Sequence, residues 1–210
     1  GLGVKNLTKK EVDELEPNAN LNIKGAVYFD SDAHMTPSDF MSKMITYLKS
    51  KGVLFYDNEE VTDVDVKNDK ISKLGTNKRE LIVDEVVLAA GSWSSLLTKK
   101  IGISIPIQAG KGYRINVERK TGITIPAILC EAKVAVTPMN GFTRFAGTME
   151  IAGINHTINP VRVNAIATAA KEYYNQLEIT QVEKNGAACG LRPCSPDGLP
   201  YIGKSSKCKN

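Results

Sequence analysis

The chain has 210 residues with 27 basic and 23 acidic side chains, which gives a formal net charge of +4. A chain of this length forms one or two domains, and a hydrophobic content of 42% is enough for a core. The two signs of charge are interspersed and aromatic residues make up only 6% of the chain, so the composition argues against nucleic-acid binding. No apolar run approaches the roughly 20 residues that a membrane-spanning helix needs.

The two ends of the sequence and its cysteines bear on location and redox state. Residues 1–5 begin without Met and show no signal-peptide pattern, and residues 207–210 do not resemble a natural end. We therefore expect an internal fragment of a longer, cytoplasmic protein. The cysteines lack C-x-x-C spacing, so we expect reduced thiols and no metal site. They are Cys130, Cys189, Cys194 and Cys208.

The first fifty residues predict two helices with a short strand between them. Residues 4–16 predict a helix, with Thr8 and Glu11 spaced as in a capping box. A strand is predicted over 26–29, and a longer helix over 37–51. Apolar residues at helical spacing on this longer helix are expected to fill the core. They are Phe40, Met41, Met44, Ile45 and Leu48.

Short alternating runs follow and predict an antiparallel meander. These runs are 53–56, 60–66, 70–75 and 80–83. The next run, 86–90, is continuously apolar, as expected of a strand buried on both faces of a parallel sheet. It leads through Gly91 into a short helix that ends at Lys99. A junction of strand, glycine and helix is where α/β folds bind phosphates and nucleotides.

The second half predicts a larger antiparallel sheet with one flanking helix. Its strands are predicted at 106–118, 123–129, 133–138 and 142–149. A helix is predicted over 160–177, and a final strand over 180–192 leads to Arg192. The fold class is therefore α+β, with an α/β piece and a mainly antiparallel sheet with flanking helices.

Arg192 stands at the end of an apolar run and is followed by residues that form turns. These turn residues are Pro193, Pro196, Gly198, Pro200 and Gly203. Because proline restricts φ and glycine permits positive φ, the segment is expected to adopt a defined shape. A guanidinium on such a frame can bind a carboxylate with two parallel hydrogen bonds. The residues alone leave two interpretations open. Arg192 is either a carboxylate-binding group or an incidental arginine on an ordinary surface turn.

Six segments in this order resemble the FAD-dependent oxidoreductases of the D-amino-acid oxidase type. Glycine oxidase and the small subunit of D-amino-acid dehydrogenase are the most similar branches. The Ala-Ala-Gly-Ser-Trp and Leu-Arg-Pro blocks, about 100 residues apart, make the resemblance specific. The segments are 32–37, 86–94, 111–113, 147–150, 190–193 and 196–203.

The resemblance implies roles for particular residues. Arg192 matches the arginine that binds the substrate carboxylate. Tyr113 and Met149 match weaker candidates on the substrate side, and packing of these two side chains in the core of the sheet is at least as well supported. His34 and His156 match no functional position and are interpreted as structural. The positions that match contacts with FAD are Val61, Ala89, Ala90, Gly91, Trp93 and Gly203.

The resemblance also implies a domain division and a reaction. Residues 1–35 and 96–189 correspond to a substrate-binding domain. Residues 36–95 and 190–210 correspond to an incomplete FAD-binding domain, so the fold is a truncated FAD/NAD(P)-binding fold. The implied reaction is hydride transfer from a (D-)amino acid or related amine to flavin. The resemblance implies no nucleic-acid partner for the parent protein. It leaves open whether the parent protein associates peripherally with a membrane or forms an oligomer.

The sequence departs from the family in one important respect. The G-x-G-x-x-G turn that holds the FAD pyrophosphate does not occur in the 210 residues. We therefore expect this piece to bind FAD weakly or not at all and to be inactive by itself. Two alternatives stay open at this point. One is a flavoprotein of the sarcosine or glycerol-3-phosphate type, and the other is a non-catalytic binding module.

Overall fold

The computed structural model describes residues 3–210, which form five α-helices and ten β-strands. The helices are α1 (Lys9–Leu15), α2 (Pro37–Ser50), α3 (Ser94–Lys100), α4 (Pro160–Tyr173) and α5 (Gln181–Asn185). The strands are β1 (Val4–Thr8), β2 (Gly25–Phe29), β3 (Val61–Lys67), β4 (Lys70–Thr76), β5 (Glu80–Ile82), β6 (Gln108–Val117), β7 (Ala127–Leu129), β8 (Val134–Met139), β9 (Phe142–Ile151) and β10 (Ala188–Cys194). This mixture of helices and antiparallel strands confirms the predicted α+β class.

The chain divides into two compact units. Unit 1 comprises the described residues up to Thr46, with Gly112–Glu150 and His156–Gly190. Unit 2 comprises Tyr47–Lys111, Ile151–Asn155 and Leu191–Asn210. Each unit is built from segments that are distant in sequence.

The core of unit 1 lies between a β-sheet and α4. The sheet has five strands in the order β10–β6–β9–β8–β7, and β7–β8 and β8–β9 are antiparallel. From Lys111 to Val117 every second residue of β6 is buried, because side chains alternate between the two faces of a strand. Phe145 packs edge-on against Tyr174, with ring centroids 6.2 Å apart. The most deeply buried residues of this core are Tyr113, Ile115, Val117, Val134, Val136, Phe145, Ile166 and Ala170.

Unit 2 contains a three-stranded antiparallel sheet in the order β3–β4–β5. Asn68 and Asp69 form the turn between β3 and β4, both at positive φ, which asparagine and aspartate tolerate better than most residues. The predicted meander is confirmed for the last three of its four runs. The first run, 53–56, forms no strand.

Two local assignments differ from the sequence-based expectation. Residues 4–8 form β1, which pairs with β2, so that only residues from Lys9 onward are helical. The capping box of Thr8 and Glu11 is present as predicted, and it marks where the helix begins. Residues 181–185 form α5 instead of a strand, because Thr180 and Glu183 make a second capping box.

The predicted buried strand over 86–90 is wrong. Residues 86–90 form an irregular segment, and Val87 is 90% exposed. A strand of a parallel sheet needs neighbouring strands to satisfy its backbone hydrogen bonds. Among residues 3–210, no strand pairs with this segment.

Helix α2 is confirmed as an element, but its apolar residues do not fill the core. No residue of α2 is buried, and Phe40 and Met41 are 46% and 53% exposed. The helical period identifies an apolar face but does not determine what packs against it.

Candidate functional site

Arg192 lies on β10, in the part of this strand that belongs to unit 2, and its side chain is exposed. Its guanidinium makes no hydrogen bond or ion pair with any residue in the described part of the chain. The backbone carbonyl of Arg192 accepts a contact from the Cys194 thiol at 3.6 Å. The strand therefore holds the backbone of Arg192 and leaves its charged group available to a ligand.

The turn after Arg192 has the defined shape that its prolines and glycines predict. Ser195 Oγ donates to the Leu199 carbonyl at 2.7 Å, and the Leu199 N–H donates to Asp197 Oδ1 at 3.1 Å. Gly198 has a φ of +77°, a value that favours glycine. The hydrogen bond from the Leu199 N–H lowers the pKa of the Asp197 carboxyl.

The segment matched to FAD contacts, 89–93, ends in a 3-10 turn over Gly91–Trp93 that leads into α3. Gly91 has a φ of +55°, and a Cβ atom built there would meet no atom within 4 Å. Ala89 and Trp93 are exposed, and Ala90 is half-buried. The backbone at Gly91 is therefore open to the approach of a ligand.

A buried serine joins this turn to the strand that bears Arg192. Ser92 is 2% exposed, and its Oγ donates to the Leu191 carbonyl at 3.4 Å. Trp93 follows Ser92 in the chain and Arg192 follows Leu191, so unit 2 places the two predicted contact segments side by side. Sequence reasoning did not identify Ser92 as the residue that links them.

Val61 lies half-buried on β3, an edge strand of the three-stranded sheet of the same unit. The next residue, Thr62, accepts a hydrogen bond at its carbonyl from Lys100 Nζ, at the end of α3. The strand of Val61 and the helix that follows Trp93 are thus connected. Gly203 lies in an exposed segment, and no hydrogen bond among residues 3–210 joins it to the 89–93 turn.

A buried carboxylate two residues before Val61 holds the start of β3. The Glu59 side chain is 5% exposed and accepts two hydrogen bonds from Arg79, at 2.8 and 2.7 Å. Thr76 Oγ1 donates to the same carboxylate at 2.8 Å, and the Arg79 guanidinium lies 3.9 Å from the centroid of the Tyr56 ring. These interactions, above all the hydrogen bonds from Arg79, lower the pKa of Glu59 to about 2. Sequence reasoning did not identify this pair, because its members are 20 residues apart in the chain.

Tyr113 and Met149 lie in unit 1. Tyr113 is 1% exposed and belongs to the core, and its hydroxyl donates to Glu150 Oε1 at 2.6 Å. Glu150 lies 3.5 Å from the Nε of Arg162. Met149, by contrast, is 55% exposed. Thr148, which precedes it, has a φ of +52°, and its buried hydroxyl finds no hydrogen-bond partner among the described residues.

His34 and His156 are both exposed. Within residues 3–210, no three His, Cys, Asp or Glu side chains are grouped so that they could hold a metal ion. All of the cysteines are free thiols. In the same part of the chain, none of the helices has the length and apolar character needed to cross a membrane.

The whole chain, residues 1–210, matches the family model described as "DAO: FAD dependent oxidoreductase". The chain therefore belongs to this family of FAD-dependent oxidoreductases. Relatives and solved structures agree with the match. A D-amino acid dehydrogenase of Helicobacter pylori is 28% identical over 97% of this chain and 49% of its own length. The chain thus spans about half the length of the curated relatives it matches.

The fold also matches solved structures of the family. Glycine oxidase from Bacillus cereus superimposes with a TM-score of 0.85 at 26% identity, over 100% of this chain and 57% of that one. An L-α-glycerophosphate oxidase from Mycoplasma pneumoniae, solved with FAD bound, has a TM-score of 0.68 at 18% identity and covers 92% of this chain and 53% of its own. The second likeness is one of fold alone.

Proposed function

We propose that the protein represented by this chain oxidises an amino acid or a related amine, with FAD as the electron acceptor. The observation that supports this proposal most directly is the exposed, unpaired guanidinium of Arg192. The preceding residue, Leu191, is hydrogen-bonded through its carbonyl to Ser92 of the 89–93 turn. An unpaired arginine on a structured strand suits a substrate carboxylate, which it can bind through two parallel hydrogen bonds.

The residues of unit 2 fit the requirements of a flavin site. The open backbone at Gly91 allows close approach, and Trp93 and Ala89 are exposed beside it. We assign Ala89, Ala90, Gly91, Trp93 and Gly203 to contacts with FAD, and the backbone of Val61 to its adenine end. When bound, the flavin supplies the hydride acceptor, and the protein supplies binding, orientation and electrostatics. Arg192 then orients the substrate so that its α-hydrogen is directed toward the flavin.

We also assign Tyr113 and Met149 to the substrate side. The exposed Met149 follows Thr148, a β-branched residue at positive φ with an unsatisfied hydroxyl. Strain of this kind concentrates at functional sites, which supports a ligand contact at Met149. Tyr113 is buried, so we expect it to act on the substrate indirectly, through Glu150, which accepts the hydrogen bond of the Tyr113 hydroxyl. Residues 1–35 and 96–189 would form the substrate-binding domain, and 36–95 and 190–210 would form part of the FAD-binding domain.

The test is steady-state kinetics on the full-length flavoprotein that contains this chain. We expect Arg192→Ala to raise KM for amino acids by about 10-fold or more, with a loss of kcat from misplaced substrate. Arg192→Lys should recover part of the loss, because it keeps the charge without the bidentate geometry. Lys70→Ala, which removes an exposed cation from the same unit, serves as the control.

The substrate screen should include D-amino acids, glycine, sarcosine and glycerol 3-phosphate. An unchanged KM in Arg192→Ala would remove Arg192 from the site. Turnover of glycerol 3-phosphate with no turnover of amino acids would replace the proposed substrate class with the alternative one.

A further inference from the structure

The five-stranded sheet of unit 1 has a second face, opposite its core, that bears two arginines. On β6, Ile115 and Val117 point into the core, so Arg114 and Asn116 lie on the other face. Arg144 lies on the neighbouring strand β9, between the buried Thr143 and Phe145. Both arginine side chains are half-buried. Two cationic groups therefore occupy adjacent strands of one face.

The Arg144 guanidinium has a defined position on this face. Its Nε donates to Asn116 Oδ1 at 3.1 Å, and its central carbon lies 5.3 Å from the centroid of the Phe142 ring. The two contacts limit the rotation of the group. Its terminal nitrogens donate to no other residue in the described part of the chain. Arg144 is thus oriented by its neighbours, while its two terminal nitrogens remain available to a planar anion.

The two arginines also lack a counter-charge. No aspartate or glutamate among residues 3–210 pairs with Arg114 or Arg144. The other arginines of unit 1 differ in this respect, because Arg119 pairs with Glu183 and Arg162 pairs with Glu150. Burial, followed by the charge of Arg114, lowers the pKa of Arg144, which is the expected effect of two like charges in partly dry surroundings. Such an arrangement is costly unless an anion compensates it.

We infer that Arg114 and Arg144 form a second anion-binding site, which takes the carboxylate of a small organic acid. A carboxylate matches the planar donor set of a guanidinium, and it would also offset the repulsion between the two cations. Asn116 positions Arg144 and does not itself bind the anion. This site lies within unit 1 and does not depend on Arg192, so it goes beyond the function proposed above. The alternative is a solvated basic face with no specific ligand.

The first experiment titrates acetate into the 210-residue chain while the arginine Nε–H resonances are followed by NMR. Ionic strength is kept constant with chloride, because exposed charges respond to salt alone. We expect the Arg144 resonance to shift and to saturate, while that of Arg119, which is paired with Glu183, does not move. Arg192 reports separately on the proposed substrate site, so failure of one site is distinguishable from failure of the other. An Arg144 resonance that does not move, or moves equally with chloride, would overturn the inference.

The second experiment compares variants by thermal unfolding in acetate and in chloride. We expect the wild-type chain to gain a few degrees in Tm at saturating acetate, since a ligand that binds only the folded state stabilises it. Arg144→Gln should abolish this gain, and Asn116→Ala should weaken acetate binding several-fold. Lys24→Gln, which removes an exposed cation of the same unit, should retain the full gain. A gain with inorganic phosphate but none with acetate would exclude the carboxylate assignment.

Discussion

Single buried carboxylates organise both units of this protein. In unit 1, the Glu16 residue is 6% exposed. Its Oε1 accepts hydrogen bonds from the N–H and the hydroxyl of Thr124, each at 2.9 Å, and also from the N–H of Ile125. It thereby fixes a loop more than 100 residues away in sequence to the end of α1. In unit 2, Glu59 has the equivalent effect through Arg79 and Thr76. Both carboxylates satisfy donors that would otherwise lack partners.

The first prediction concerns Glu16. We expect Glu16→Ala to lower the free energy of unfolding by about 3 kcal/mol, because it leaves buried donors unsatisfied. Glu14→Ala is the matched control: its side chain is 67% exposed and lies 4.0 Å from Lys10, so its loss should cost less than about 0.5 kcal/mol. The measurement is urea denaturation of the chain. Equal losses in the two variants would contradict the role assigned to Glu16.

The second prediction concerns pH. The Arg79 guanidinium holds the pKa of Glu59 at about 2, below its ordinary value of 4.5. A lowered folded-state pKa adds stability that is fully present above the unfolded-state value and is lost as the pH falls through the folded-state value. The chain should therefore lose stability between about pH 4.5 and pH 2. Glu59→Gln and Arg79→Gln should each flatten the dependence of Tm on pH in this window, and an unchanged slope would contradict the assignment.

At the scale of elements, local signals predict where helices begin better than they predict what helices pack against. The capping box at Thr8 and Glu11 correctly marks the start of α1. The same Thr-x-x-Glu spacing occurs at Thr180 and Glu183, and attention to it would have identified α5 from the sequence. The apolar periodicity of α2 is equally clear, yet no residue of α2 is buried.

The third prediction tests a capping box directly. The Glu183 N–H donates to Thr180 Oγ1 at 3.2 Å, and the Thr180 N–H donates to Glu183 Oε2 at 2.7 Å. We expect Thr180→Ala to lower the free energy of unfolding by about 1 kcal/mol, while Thr180→Ser keeps the cap and most of the stability. Chemical denaturation of the two variants provides the comparison. A loss as large in the serine variant as in the alanine variant would exclude capping as the cause.

At the scale of the whole molecule, unit 2 exposes many large apolar side chains. Exposed apolar residues in such numbers are unusual for the surface of a monomeric domain. The chain spans about half the length of its relatives. The most exposed of these side chains are Leu54, Ile82, Val87, Leu199 and Ile202.

The fourth prediction concerns the FAD contacts proposed above. The chain has an open turn at Gly91 but no G-x-G-x-x-G segment to hold the pyrophosphate. We therefore expect the purified 210-residue chain to bind FAD weakly or not at all. The measurement is flavin absorbance after incubation with FAD and gel filtration, with a full-length glycine oxidase as the positive control. A stoichiometric yellow complex would contradict this prediction.

The sequence by itself determined the features that depend on neighbours along the chain. Among these are the capping box of α1, the alternation of β6, the turn after Arg192 and the ordered motifs of the family. Each depends on residues only a few positions apart, so its physical cause is local. The tertiary structure alone decided which apolar runs are covered: 86–90 predicted a buried strand, but no neighbouring strand pairs with it. The tertiary structure also decided which charged side chains lie close together. Glu59 pairs with Arg79, and Arg114 lies near Arg144, only because segments that are distant in sequence pack against each other.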